Sequence, residues 1–224
     1  MAMSSSIIRS RLIRGFLAAF VLAMLALPFT SLRASAAIER IAAPSSVTGG
    51  RSITIRVELD RPAYSGGFLI LLYSSSSLIP VPGYIAVPGG QDYGSVTVKT
   101  GTTTVDKAVT ITAKSGATTV SKVITVKKPY LYKLVVQTTY PEGQTGYITA
   151  KISGPAPSGG VTIYFYSSRP SIITVPTSAQ IPAGYSSVRI TVKPAMVPYN
   201  VAVNLSASYS GIKITWPTTV TNGP

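Results

Sequence analysis

The 224-residue chain contains no cysteine and no histidine. Disulfides, thiolate zinc sites, cysteine nucleophiles and Ser-His-Asp triads are excluded by inventory. Charge is scarce: Asp, Glu, Lys and Arg together make up 12%, about half the usual share, and only six residues are acidic. Calcium sites need several clustered oxygen ligands, and the sequence has no Asp-x-Asp cluster. No catalytic, cofactor-binding or metal-ligating set can be assembled, so the chain reads as non-enzymatic and free of cofactors. Glu58 and Asp60 share one strand face, but Arg56 and Arg61 flank them, so they read as a solvated, salt-bridged surface.

What is present is apolar and β-prone. Hydrophobic residues reach 46%, with 19 Gly, 17 Pro and 13 Tyr, enough to bury a core and to punctuate it with turns. Disorder is disfavoured, because disordered chains are poor in apolar residues and rich in charge.

The longest apolar run is at the N-terminus. Arg9, Arg11 and Arg14 precede an apolar stretch from Gly15 to Leu27, Pro28 breaks it, and Ala34-Ser35-Ala36 supplies small residues. This is the pattern of a secretory signal peptide cleaved after Ala36. The run is too short to span a hydrocarbon core of about 30 Å as a helix. Arg14-Gly15-Phe16 also resembles a type IV prepilin cleavage site. The Glu that prepilins carry five residues into the mature chain is Phe20 here, and Pro28 interrupts the helix a pilin needs. Removing Arg9, Arg11, Arg14 and Arg33 leaves 20 − 4 = 16 basic residues against 6 acidic ones, a charge of +10. The excess is dispersed along the chain. It suits anionic envelope polymers or glycans as partners, and export argues against nucleic acid.

An internal repeat sets the architecture. Pro62-Ala63 matches Pro155-Ala156, Gly66-Gly67 matches Gly159-Gly160, and Ser74-Ser75 matches Ser167-Ser168, all at an offset of 93. Val81-Pro82 then matches Val175-Pro176, Pro88 and Gly90 match Pro182 and Gly184, and Val96 to Lys99 match Ile190 to Lys193, all at an offset of 94. One inserted residue after Ser167-Ser168 explains the step. Within each copy the period is two: Ile53, Ile55, Val57 and Leu59 alternate with polar residues, as do Ile148, Ala150 and Ile152. Phe68 to Tyr73 and Val161 to Tyr166 are near-continuous apolar runs, expected of central strands. Further strands are expected at 95–100, 108–114, 119–126, 187–193, 202–208 and 212–220. The sum is all-β: two sandwiches of about seven strands each, at 37–128 and 129–224, after a signal peptide at 1–36. The short linker Lys127-Lys128-Pro129-Tyr130 is stiffened by its proline and predicts a rod.

Pro155-Ala156-Pro157-Ser158-Gly159-Gly160-Val161, Ser167-Ser168, Val175-Pro176, Pro182-Ala183-Gly184 and Ala207-Ser208-Tyr209 resemble tandem bacterial immunoglobulin-like repeats of exported proteins. The resemblance implies immunoglobulin-like sandwiches located at the cell surface or outside the cell. It also implies a role as spacer, stalk, adhesin segment or filament subunit. It does not name a ligand.

Candidate contact residues are few. Tyr164 and Tyr166 alternate with Ile163 and Phe165, so the tyrosines should face outward, where Lys151 or Arg189 nearby would complete a glycan or subunit contact. Trp216 is expected to pack in the core. Ala37 to Ser46, with Ile38 and Ile41, reads as an apolar segment outside the repeat that could add a strand to a neighbouring copy. The expected function is a self-assembling surface or filament subunit, with copies of itself as partners. The alternative is a module that binds the cell envelope or a polysaccharide through tyrosines and basic residues.

Overall fold

The computed structural model describes residues 35–223. The signal-peptide and cleavage-site expectations therefore lie almost wholly outside the described residues. Residues Ala36–Pro224 form one compact unit.

The described residues form sixteen strands. The first eight are β1 (Ile38–Ala42), β2 (Ser46–Thr48), β3 (Ser52–Leu59), β4 (Phe68–Ser74), β5 (Tyr84–Val87), β6 (Tyr93–Lys99), β7 (Lys107–Ser115) and β8 (Thr118–Lys127). They make a three-stranded sheet, β1-β3-β6, and a five-stranded sheet, β2-β8-β7-β4-β5. The second eight are β9 (Leu131–Val136), β10 (Thr139–Pro141), β11 (Gly146–Ile152), β12 (Val161–Ser167), β13 (Ser178–Ile181), β14 (Ser187–Val192), β15 (Val201–Tyr209) and β16 (Ile212–Thr221). Their sheets are β9-β11-β14 and β10-β16-β15-β12-β13, the same topology again. Pairing is antiparallel except for β2 with β8 and β10 with β16.

The strand positions carry the duplication into three dimensions. β1, β2 and β4 begin 93 residues before β9, β10 and β12. β5, β6, β7 and β8 begin 94 before β13, β14, β15 and β16. The extra residue thus falls between β12 and β13, in the loop where the sequence places it.

Alternation dictates the packing. Ile53, Ile55, Val57 and Leu59 are buried while Ser52 and Thr54 face solvent, and β12 alternates strictly, with Val161, Ile163, Phe165 and Ser167 inside. Each pair of inner faces encloses its own core. Ile55, Ile70, Ile79, Ile111 and Ile124 are fully buried in the first, and Ile148, Ile163, Ile173 and Ile181 in the second.

Each copy has eight strands where about seven are expected. The additions are short edge pieces whose apolar signal is weak. Most consequential is β1. The segment 37–46 belongs to the repeat, since β1 is the counterpart of β9 and pairs with β3 of its own sandwich.

Candidate functional site

Ile38 and Ile41 are each 5% exposed and sit in the first core. They hold β1 against its own sheet and are not presented for contact. The equivalent pair, Leu131 and Leu134 on β9, is buried in the second core. That correspondence was the available signal that 37–46 is an integral strand.

Tyr164 and Tyr166 do project outward from β12, at 60% and 59% exposure. They line a shallow groove of about 240 Å³ with Ser206, Ser208 and Lys213. The cation beside them is Lys213, whose Nζ lies 5.4 Å from the Tyr166 ring centroid. Their counterparts on β4, Leu71 and Tyr73, are also exposed, and Leu71 lies opposite Tyr84 of β5. An aromatic strip is therefore repeated on the outer face of both five-stranded sheets.

Lys151 and Arg189 are not near that strip. Lys151 is on β11 and Arg189 on β14, both in the three-stranded sheet. After β11 the chain crosses to the other layer, so residues 151 and 164 end up on opposite faces of a sandwich whose layers are separated by about 10 Å. The single contact site expected from Tyr164, Tyr166, Lys151 and Arg189 is divided in two. Arg189 instead stacks on Tyr147, with its guanidinium carbon 3.7 Å from the ring centroid. Trp216 also differs from expectation. It is 46% exposed at the sandwich rim and lines a groove with Tyr132, Val135 and Ile214, because β9 covers only part of β16.

The charged groups separate by repeat. The three ion pairs among the described residues are Arg40–Glu58, Arg56–Glu58 and Asp60–Arg61, all in the first sandwich. Asp60 is held below the usual carboxylate range by the Ala37 amide and by Arg61. Glu142, the acid of the second copy, is lowered by the amides of Val197 and Gly223, which donate to its two oxygens at 2.6 and 3.0 Å. Among the described residues no group of three or more Asp or Glu could hold a metal ion.

The junction between the sandwiches is built from turn residues. Only residues 128–130 separate β8 from β9, and Pro129 is buried. Asp106 accepts the Lys128 amide at 2.9 Å, and Ser153 Oγ accepts the Tyr130 amide at 3.1 Å. Arg51, just before β3, donates from Nε and Nη2 to the Ser153 carbonyl at 3.2 and 2.8 Å. The contact is so close that a Cβ on Gly154 would lie 2.8 Å from the Gly49 carbonyl oxygen, and one on Gly50 would lie 2.2 Å from Pro155 Cγ. Gly50 also has φ +80, which only glycine adopts readily. The linker's stiffness is legible in its proline, but the clamp is not, because Arg51 and Ser153 are 102 residues apart.

No family model matches the chain, and no curated protein matches it. Solved structures similar to it include titin domains A168–A170, at 12% identity and TM-score 0.43, over 83% of this chain and 64% of that one. Activated Escherichia coli alpha-2-macroglobulin matches at 11% identity and TM-score 0.33, over 86% of this chain. The present chain spans only 22% of the macroglobulin's length. The BSP domain of a biofilm-associated protein matches at 14% identity and TM-score 0.26, over 83% of this chain and 30% of that one. The chain's own strand order and pairing make it an all-β protein of two tandem immunoglobulin-like sandwiches.

Proposed function

We propose that this chain is a non-catalytic structural protein exported from the cytoplasm, a surface or filament subunit that assembles with copies of itself. The observation that carries this reading is the clamped junction. Arg51, the buried Pro129 and the Gly50–Pro155 contact couple two separate cores through a three-residue connection, so force or position passes from one module to the next. A pair of modules joined in this way suits a spacer or building block better than a pair on a flexible tether. Export is supported by the Arg9-to-Ala36 pattern in the sequence.

Exchange of β1 between copies is a less economical route to assembly. β1 already completes its own sheet and buries Ile38 and Ile41, so exchange requires it to leave and be replaced. The exposed strips around Leu71, Tyr73 and Tyr84, and around Tyr164 and Tyr166, offer a contact that needs no unfolding. Size-exclusion chromatography with light scattering and negative-stain microscopy of the chain from Ala37 tests the proposal. Multimers or filaments that are lost in Tyr164→Ser plus Tyr166→Ser support it. A monomer at every concentration and salt condition overturns it.

A further inference from the structure

We propose that the outer face of β9-β11-β14 is a binding site for an acidic polysaccharide, held by Lys133, Lys151 and Arg189. Lys133 and Lys151 are direct cross-strand partners on β9 and β11. Arg189, on the other side of β11, is the partner of Thr149, two residues before Lys151. The neighbours in sequence, Leu134, Ala150, Ile152 and Ile190, are buried, which directs the cations to the outer face. Three cations therefore sit on three adjacent strands spaced by about 4.8 Å.

The first copy shows what this position looks like when it is merely structural. At an offset of 93, Lys133 corresponds to Arg40, and Lys151 corresponds to Glu58. Glu58 pairs with both Arg40 and Arg56. Two cations and one anion leave +1 there, whereas Lys133, Lys151 and Arg189 leave +3. The second copy has a lysine where the first has the bridging acid. Its sole acid, Glu142, is committed to the amides of Val197 and Gly223. Like charges directly opposed across strands cost stability. A local rule broken without internal compensation is expected where a ligand supplies the compensation. Ordinary solvation accounts for scattered lysines and not for two placed face to face.

The shape selects the ligand. The face is a sheet surface with the hydroxyls of Thr149 and Ser187 beside the cations and Thr191 beyond Arg189, and it suits a linear chain lying across the strands. Stacking on Tyr147 pre-positions the Arg189 guanidinium for a carboxylate or sulfate. The aliphatic content of the face is Val135, too little to enter a bilayer. The choice of glycans over nucleic acid rests on the export proposed above. The site does not depend on self-assembly, so either can fail alone.

The test measures binding of the chain from Ala37 to polygalacturonate and dextran sulfate, with neutral dextran as reference. Binding to the acidic polymers that weakens as salt rises to about 0.15 M, where the Debye length is about 8 Å, is expected. Lys151→Glu recreates the Arg40–Glu58 pairing, so it should fold and should weaken binding about tenfold or more, about 1.4 kcal/mol. Lys133→Gln with Arg189→Gln should do the same. Lys114→Gln and Lys107→Gln, both exposed on β7 of a five-stranded sheet, should change it less than about twofold. The proposal is overturned if the wild type does not bind, or if the control variants weaken binding as much as the site variants. Binding to phosphatidylglycerol vesicles in place of the polymers also overturns it.

Discussion

The guanidinium of Arg51 in the first sandwich donates two hydrogen bonds to the main-chain carbonyl of Ser153 in the second. A carbonyl acceptor has no side chain to vary, so the contact depends on Arg51 and on the tight glycines around it. Arg51→Ala should leave both cores intact, since each is a separate cluster. A charged hydrogen bond discounted for exposure is worth about 1 kcal/mol, a factor of about five in opening of the junction. Tryptic cleavage after Lys127 under native conditions should accelerate accordingly while the unfolding midpoint hardly moves. Unchanged cleavage would mean that Pro129 and the Asp106 and Ser153 hydrogen bonds hold the junction without Arg51.

Stability should fall at both ends of the pH range, for different reasons. Tyr140 is 1% exposed; its hydroxyl donates to the Tyr147 carbonyl at 2.9 Å and accepts from the Gln137 amide. Burial pushes its pKa above the ordinary 10.0. The unfolded chain ionises near 10 while the folded chain holds its proton, so stability is complete below that pH and is lost as pH rises beyond it. At the acid end, Glu142 and Asp60 are lowered, so their contribution is present above the ordinary 4.5 and 3.8 and is lost as pH falls through the folded values. Chemical denaturation across pH should show a plateau between these limits. Tyr140→Phe should lower the plateau by about 1–2 kcal/mol and flatten the alkaline slope. A slope that persists unchanged would place its origin elsewhere.

Ser210 has φ +51 in the two-residue loop Ser210-Gly211 that joins β15 to β16, where Gly211 has φ +82. Two positive-φ residues in a hairpin make the turn that favours Asn-Gly. Its counterpart in the first copy is Gly116, also with positive φ. Ser210→Asn should relieve strain and stabilise the second sandwich by about 0.5–1 kcal/mol, raising its melting temperature by roughly 2–8 °C. Calorimetry reads this directly, and a lowered transition would contradict the turn assignment.

Alternation along Ile53 to Leu59 and Ile148 to Ile152, and the step from an offset of 93 to 94, were enough to specify all-β sandwiches, a duplication and the location of its indel. Those features are local, because a strand's period and a turn's glycine are written within a few residues. Shorter strands escaped: β5 and β13 have four residues each, too few for a pattern to rise above its surroundings. Periodicity also showed correctly that Tyr164 and Tyr166 face out, but not which sheet Lys151 and Arg189 would occupy.

The sequence by itself determined which side chains of the long alternating strands turn inward, how many times the module is copied and what chemistry the inventory forbids. Tertiary structure alone decided which residues meet: Arg51 with Ser153, Lys133 opposite Lys151, Arg189 over Tyr147, and β1 folded into its own sheet. The physical reason is that strand period is a property of neighbouring backbone units, whereas pairing joins strands brought together only when two layers close on a core.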